Sequence, residues 1–310
     1  MSYSLPAMAV TLNQLSSFLA VAREGSVSAA ADKLFVTQPS ISAAVSALSR
    51  ELGVDLTERV GRGVGLTAAG DAFRPYAADV LGLIDQGKKA AREAADVSMR
   101  SLRIVAVATA AEFVVPSLLR AFTTLHPEIS LTLEVANRAS LFDRVLEHEV
   151  DVAIAGRPPD DERIAGHAFL ENTIALIGAP GDPLASDKPI RPEELAKRVW
   201  LMREPGSGTR QLVSEYLTDH DLRPQTLTLG SNGAIKEAVR LGLGVSLQSR
   251  VAVEHELRDG TLSEILVRGG LPRREWYALH SATVPPRPAV EQFLAFAYGP
   301  ESRAAFEGRE

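Results

Sequence analysis

Apolar residues near the N-terminus recur at the 3.6-residue spacing of amphipathic helices. The pattern predicts a first helix that starts at Leu12 and is ended by Gly25, a second helix over 27–34, and a third that follows Thr37 and runs to Leu52. Thr37 can accept a hydrogen bond from a free amide of the third helix, and glycine readily adopts the left-handed conformation that ends a helix. Two short helices joined by a tight turn, the second presenting small polar residues, are typical of a helix-turn-helix.

A glycine-rich segment and a long helical pattern follow the third helix. The segment 56–67 predicts a β-hairpin, a wing beside the helices, that carries Arg59 and Arg62. Basic residues there suit contact with a phosphate backbone. Apolar residues over 68–97 then recur every three or four positions, which predicts a helix of roughly 45 Å with a bend at Pro75. A single domain rarely buries so long a helix, so we expect it to pair with the same helix of a second copy.

The rest of the chain, 101–310, alternates strands with helices. Its first half predicts a βαβαβ unit, and its second half predicts a similar unit. We therefore expect an α/β fold with parallel sheets in two lobes and a ligand cleft between them. The predicted strands cover 102–108, 131–135, 151–155, 173–178, 200–203, 227–229, 245–247 and 276–280, and the predicted helices cover 113–125, 141–148, 192–197, 209–220, 234–241 and 289–298.

Composition and missing motifs remove several classes of function. The 310 residues are 45% hydrophobic, carry a net charge of -6 and include no cysteine, which excludes disulfides, zinc fingers and thiol nucleophiles. No histidine pair has metal-binding spacing, and no nucleophile–base motif or nucleotide-binding loop is present, so we expect no metal, no cofactor and no catalysis. Without a secretory signal or a run of 18 apolar residues, we expect a cytoplasmic protein with no membrane contact.

Polar residues of the second and third helices and the wing are the candidates for DNA contact. Gln38 can form two hydrogen bonds with adenine, a pair worth ~1–3 kcal/mol of base discrimination, and small hydroxyls suit phosphate oxygens. The alternative is an ordinary capped helix with solvated polar residues. Residues 1–66 hold five basic and five acidic side chains, so we expect tight binding to need a dimer. The predicted DNA-binding residues, in a helix-turn-helix spanning Val27 to Ser46 and its wing, are Val27, Ser28, Thr37, Gln38, Pro39, Ser40, Ser42, Ala43, Ser46, Arg50, Arg59 and Arg62.

Polar residues that follow the predicted strands are the candidates for ligand binding, because ligands of α/β sheets bind at the carboxyl ends of the strands. The tract 203–210 places glycines and hydroxyls at a helix start, which suits an anion, although a simple capped turn would have the same sequence. Four arginines could form a basic pocket, although each could also be an ordinary surface residue. The predicted ligand residues are Thr109, Ala110, Asn137, Arg138, Arg157, Arg203, Ser207, Gly208, Thr209, Arg210 and Asn232.

These segments also carry a family resemblance. Residues 26–70, with TQPSIS at 37–42 and LTAAG at 66–70, resemble the LysR-type transcriptional regulators, and the layout matches over nearly the whole chain. Within that family, the tracts 203–210 and 231–250 are similar to the carbon-fixation regulators.

The resemblance implies a fold and a set of partners. The fold is α/β overall, with an N-terminal all-α winged helix-turn-helix, a long linker helix and a two-lobed effector-binding domain like a periplasmic binding protein. The partners are double-stranded promoter DNA, a small and anionic effector between the lobes, further copies in a homodimer or homotetramer, and RNA polymerase. The expected bounds are 11–67 for the winged helix-turn-helix, 68–98 for the linker helix and 101–310 for the effector-binding domain, with lobe I at 101–171 and 275–310 and lobe II at 172–274.

The chain also departs from the family. Many members carry Arg, Gln or Lys where Ala43 and Ala44 stand, so we expect base recognition to depend on Gln38, Ser42 and Ser46 and on DNA shape. Two other classes of function stay open. A small-molecule-binding protein without a DNA role would make the helical head incidental, and an enzyme of the binding-protein fold would need the nucleophile and base that the sequence lacks.

Overall fold

A computed structural model describes residues 10–61 and 63–307. The chain divides into two compact units, each with its own core. The first comprises residues 1–91 with 146–149, and the second comprises residues 92–145 with 150–310.

The first unit holds three short helices, a two-stranded hairpin and most of a long helix. Each short helix begins after a Thr or Ser whose hydroxyl accepts a hydrogen bond from an amide of the first turn, namely Thr11, Ser26 and Thr37. Gly25 and Gly53 end the first and third helices in the left-handed conformation. The predicted helices and hairpin are confirmed as α1 (Leu12–Glu24), α2 (Val27–Leu34), α3 (Gln38–Leu52), β1 (Thr57–Val60), β2 (Gly63–Leu66) and α4 (Ala68–Ala95).

The start of α4 closes the core of the first unit. Phe73 on α4 contacts Phe18 on α1, with ring centroids 5.7 Å apart. Gly70 fits where no side chain could, because a Cβ there would lie 2.0 Å from the carbonyl oxygen of Leu56. This close approach explains the glycine of the LTAAG tract. The helix continues through Pro75 without interruption, and the bend expected there stays a prediction.

Phe35, in the turn between α2 and α3, adopts the left-handed conformation with a φ of 56° and is 95% exposed. This conformation costs most residues roughly 1 kcal/mol, whereas Asn tolerates it. Because the exposed ring loses little packing, we expect Phe35→Asn to slow amide hydrogen exchange in α2 and α3 by about two- to five-fold. Phe35→Ala keeps the penalty and is the matched control. Equal exchange rates in the two variants would show that backbone strain at this turn does not limit stability.

The second unit is built as two lobes around separate cores. Lobe I packs around Phe122 and Phe293, whose ring centroids lie 5.1 Å apart, and lobe II packs around Trp200 and Tyr216, at 5.7 Å. Two 3₁₀ helices, Val97–Met99 and Pro192–Leu195, accompany these elements: β3 (Ser101–Val107), α5 (Ala108–Phe113), α6 (Val115–Leu125), β4 (Ser130–Ala136), α7 (Arg138–Leu146), β5 (Val152–Ala155), β6 (Ile164–Asn172), β7 (Ile174–Gly178), β8 (Trp200–Met202), α8 (Gly208–Asp219), β9 (Thr226–Thr228), α9 (Asn232–Arg240), β10 (Ser246–Ser249), α10 (Arg250–Arg258), β11 (Ser263–Glu264), β12 (Arg274–Ser281), α11 (Pro288–Tyr298) and α12 (Pro300–Glu307).

The sheets of the second unit are mixed rather than wholly parallel. In lobe I the strand order is β4-β3-β5-β12-β6, with β3 parallel to β4 and β5, as predicted, and β12 antiparallel to β5 and β6. In lobe II, β7 lies between β10 and β11 and is antiparallel to both, whereas β8 and β9 are parallel. The expectation of parallel sheets is therefore confirmed for β3, β4 and β5 and for β8 and β9, and it is wrong for the other strand pairs. Strand direction depends on where the chain crosses between the lobes, which local spacing does not encode.

The helix predictions for this unit are correct only in part. The helix expected over 113–125 is confirmed as α6, which begins at Val115 and carries Pro116 in its first turn, where no amide hydrogen is needed. The short helix α5 that precedes it was not predicted. The helix expected over 192–197 is the short 3₁₀ helix named above. The elements β6, α10, β11 and α12 were not predicted, and β6 lacks the strict alternation of buried and exposed residues that identifies a strand.

Candidate functional site

Most of the predicted DNA-binding residues of α2 and α3 are exposed, and hydrogen bonds link several of them. Gln38 Nε2 donates to Ser28 Oγ (3.1 Å), which joins the polar side chains of the two helices. Thr37 Oγ1 and Ser40 Oγ share a hydrogen bond of 2.9 Å at the start of α3. The opposite face of α3 is buried in the core of the unit. Of the other predicted residues in these helices, Pro39, Ser42, Ala43, Ser46 and Arg50 are exposed and Val27 is half-buried.

The wing is attached directly to the turn after α1. The amide of Val64 donates to the carbonyl oxygen of Gly25 (2.9 Å), and a Cβ at Gly63 would lie 2.7 Å from the same oxygen. Glycine is therefore needed at this contact. Arg59 on β1 is exposed, as a backbone-contacting residue would be. Arg62, the other predicted wing residue, lies outside the described residues.

A cavity of about 280 Å³ lies between the lobes of the second unit, where β3, β4, β5 and β8 end. The loops on the two sides of the cavity touch, because the amide of Arg138 donates to the carbonyl oxygen of Gly206 (3.2 Å). Gly206 has a positive φ of 85°, a conformation that favours glycine. The predicted ligand residues that line this inner cavity are Thr109, Asn137, Arg138, Arg203, Ser207, Gly208 and Thr209.

Two arginine side chains line the inner cavity without a carboxylate partner among the described residues. Arg138 Nη2 donates to the carbonyl oxygen of Arg157 (2.5 Å), and Arg274 Nη1 donates to that of Gly208 (2.9 Å). A Cβ added to Gly156 would lie 3.8 Å from Arg138 Nη1 and 3.9 Å from Arg274 Nη2, so both guanidinium groups approach one point. Burial lowers the pKa of both groups, the charge of Arg274 lowers the pKa of Arg138 further, and the charge of Glu215 raises both pKa values in part. An anion between them would offset this cost.

Arg274 is absent from the predicted ligand residues, and strand direction explains why. The prediction followed parallel strands to their carboxyl ends, whereas Arg274 begins β12. Because β12 is antiparallel to β5 and pairs Tyr277 with Ala155, its amino end lies at the carboxyl edge of the sheet. The adjacent residues Arg273 and Arg274 precede a predicted strand, and this pair could have indicated an anion-binding site. It becomes informative only once the direction of that strand is known.

Two of the predicted arginines are committed to contacts within the protein. Arg203 lines the inner cavity, but its guanidinium donates to the Glu204 carboxylate (2.7 and 2.9 Å) and to Asn232 Oδ1 (2.6 Å). Its charge is therefore already neutralised. Arg210 does not line the cavity, since its Nη1 donates to the carbonyl oxygen of Arg203 (2.9 Å) and to Thr228 Oγ1 (3.0 Å).

Three other predicted residues also lie outside the cavity wall. Asn232 is only 1% exposed and donates to Thr109 Oγ1 (3.2 Å), so it joins the two lobes without lining the cavity. Ala110 is fully buried in the core of lobe I. Arg157 is exposed and lines a neighbouring surface depression instead. Besides Arg274, the cavity wall includes Asn172, Glu204, Ser249 and Trp276, none of which was predicted.

Two kinds of feature are absent from the described part of the chain. Over residues 10–61 and 63–307, no group of three or more His, Asp or Glu side chains is placed to hold a metal ion. No helix in that part of the chain is both long and apolar enough to span a membrane.

Two family models match the chain. The model for the bacterial regulatory helix-turn-helix protein, lysR family, matches residues 12–71, and the LysR substrate binding domain model matches residues 95–298. The matches coincide with the helix-turn-helix and with the unit that holds the inner cavity. The chain therefore belongs to the LysR family of DNA-binding transcriptional regulators with an effector-binding domain, and the helical head is not incidental.

Within the family, the chain is similar to regulators of carbon fixation. It is 35% identical to the HTH-type transcriptional regulator CfxR of Cupriavidus necator, over 97% of this chain and 95% of that protein. It is 36% identical to the RuBisCO operon transcriptional regulator of Allochromatium vinosum, over 96% of this chain and 98% of that protein. The chain is a carbon-fixation-regulator-like member of the family, as the resemblance indicated.

Solved structures of other family members share the fold. A full-length variant of OxyR from Pseudomonas aeruginosa matches with a TM-score of 0.68 at 24% identity, over 93% of this chain and 94% of that one. The CcmR regulatory domain of Synechocystis PCC6803 in complex with 2-PG matches with a TM-score of 0.60 at 30% identity, over 64% of this chain and 95% of that one. The predicted combination of a winged helix-turn-helix and an α/β effector-binding domain is thus confirmed.

Proposed function

We propose that the inner cavity binds a small anionic metabolite and that its occupancy modulates promoter binding or activation. The observation that carries this proposal is the pair of guanidinium groups, Arg138 and Arg274, that approach Gly156 without a carboxylate partner among the described residues. The hydroxyls of Thr109, Ser207 and Thr209 line the same cavity and can donate to an anion. An arginine fork fits the oxygens of a phosphate or carboxylate group.

The relatives support a phosphorylated organic acid as the effector. The Synechocystis CcmR regulatory domain was solved with 2-phosphoglycolate bound. This compound carries a phosphate and a carboxylate, and its small size suits a cavity of about 280 Å³. It is therefore the compound we propose to test first.

The proposed DNA-contacting surface consists of the exposed polar residues of α2 and α3 with the wing. In this proposal Gln38 reads a base, and its Oε1 and second amide hydrogen remain for an adenine after the contact with Ser28. The exposed Arg59 on the wing would contact phosphates. We propose domain bounds of 11–67 for the winged helix-turn-helix, 68–98 for the linker helix and 101–310 for the effector-binding domain, with lobe I at 101–171 and 275–310 and lobe II at 172–274.

Self-association through the linker helix is part of the proposal. Four large apolar side chains of α4 are exposed in the single chain, and a second α4 would cover them. We propose a homodimer that assembles into a homotetramer, acts in the cytoplasm without catalysis, and contacts RNA polymerase at its promoters. The exposed side chains are Tyr76, Val80, Leu83 and Ile84.

A gel-shift experiment with the DNA upstream of the chain's own gene tests the DNA-binding proposal. We expect specific binding that weakens steeply with salt, with a slope near -0.9 per phosphate contact in a logarithmic plot. Gln38→Ala is expected to reduce the preference for the specific site by ~1–3 kcal/mol. Arg59→Ala is expected to weaken binding to all sequences alike.

Arg223→Ala, at an exposed position on lobe II, is the control in the same experiment and should leave both quantities unchanged. If the unaltered chain shows no sequence preference at any salt concentration, the promoter-binding proposal is wrong. If only Gln38→Ala behaves like the control, the assignment of base recognition to that residue is wrong.

A further inference from the structure

We infer that a second anion of the phosphate or carboxylate class binds in an outer basin that adjoins the inner cavity. The outer basin has a volume of about 490 Å³, and its wall includes Arg138, Arg157, Arg273 and Arg274. Arg138 and Arg274 also line the inner cavity, so the two sites share these guanidinium groups. Only the coupling between the sites rests on the proposed function of the inner cavity.

The outer basin has positive charge that the chain does not neutralise. Two carboxylates share its wall. Glu215 accepts from Gln211 Nε2 (2.8 Å), and its charge also raises the pKa of Arg138 and Arg274, whereas Glu275 accepts from the Tyr277 hydroxyl (3.2 Å). None of the four guanidinium groups forms an ion pair with any carboxylate of the described chain. Four positive and two negative charges therefore leave an excess of two positive charges.

The arrangement of these arginines allows an oxyanion to satisfy their hydrogen-bond donors more fully than water does. Arg138 and Arg274 are half-buried, so water satisfies them only in part, whereas the exposed Arg157 and Arg273 can move toward a ligand. Guanidinium groups donate paired hydrogen bonds to phosphate and carboxylate oxygens. Anions in the outer basin and the inner cavity would lie on either side of the same two charges and repel each other. Filling one site should therefore lower the affinity of the other.

Equilibrium dialysis of the full-length chain against radiolabelled inorganic phosphate at low ionic strength counts these sites. We expect two phosphates per chain at saturation, with the second binding more weakly. The double variant Arg157→Ser and Arg273→Ser, which alters only the outer basin, should bind one. Ser207→Asp, which places a negative charge at the inner cavity and retains a good helix cap, should also bind one. Arg223→Ser, a matched exposed arginine on lobe II, should still bind two.

The outcomes separate this inference from the proposed function. One phosphate in the unaltered chain that the double variant still binds, or two phosphates in the double variant, overturns the outer site. If Ser207→Asp still binds two phosphates while the double variant binds one, the inner site fails and the outer site stands. Binding lost equally in the double variant and in Arg223→Ser would reflect general surface charge, and it also overturns the outer site.

Discussion

Replacing Arg287 with methionine is expected to lower the free energy of unfolding of the second unit by about 3–5 kcal/mol. Arg287 is almost fully buried, and its guanidinium forms ion pairs with Glu93 and with Asp151 (2.6 Å). Glu93 lies in the last turn of α4, Asp151 precedes β5 and Arg287 precedes α11, so one side chain connects three elements. Methionine fills similar space but removes the guanidinium from both buried carboxylates. Asp151 keeps a longer contact with Arg103 (3.7 Å), whereas Glu93 loses the charge that faces it, and this uncompensated charge is the main cost.

Tryptophan fluorescence in urea measures this loss selectively. Trp200 and Trp276 are the only tryptophans in the sequence, and both lie in the second unit. Arg223→Met is the matched control, because an exposed ion pair contributes little to stability. Adding Glu93→Gln to Arg287→Met should recover part of the loss, since it removes the carboxylate charge that the first substitution leaves uncompensated. Equal urea midpoints for the Arg287 and Arg223 variants would contradict the argument.

The helix-turn-helix could be predicted closely from the sequence because its signals are local. Hydroxyl caps such as Thr37 and left-handed glycines such as Gly25 specify helix ends within a few residues, and the structure places them as predicted. The contact between Gly70 and the Leu56 carbonyl oxygen is different, because it joins two elements. The sequence marked that glycine only as part of a family motif, and its steric reason required the structure.

The effector-binding unit could be predicted only in part, because its site combines distant segments. The carboxyl ends of parallel strands located Thr109, Asn137 and Arg138 at the inner cavity. The second cation, Arg274, depends on an antiparallel strand that returns from lobe II. The contact between Glu93 and Arg287 spans 194 residues, and no local pattern pairs them. Arg203, a predicted ligand-binding residue, is instead neutralised by the adjacent Glu204, and strand spacing does not show that these two side chains meet.

Ser207→Asp is expected to abolish most of the binding of 2-phosphoglycolate to the inner cavity. Ser207 caps α8, where its hydroxyl accepts from the amides of Thr209 (3.2 Å) and Arg210 (3.5 Å), and it lines the cavity. Aspartate caps a helix as well as serine does, so the fold should be retained. The added carboxylate would meet the proposed anion at close range. Calorimetry with 2-phosphoglycolate on the full-length chain measures the change in Kd.

The matched variant Ser207→Asn separates charge from shape at this position. Asparagine is the size of aspartate and caps a helix equally well, so its Kd should stay within a few-fold of the unaltered chain. Two negative charges 4 Å apart repel by about 4 kcal/mol at an effective dielectric constant of 20. If only a third of this repulsion acts on the bound effector, the Kd is already weakened about tenfold. We therefore expect Ser207→Asp to bind at least about tenfold more weakly than Ser207→Asn. If the two variants bind equally, the bound group near the start of α8 carries no negative charge, and the anionic effector must be abandoned together with the role assigned to Arg138 and Arg274.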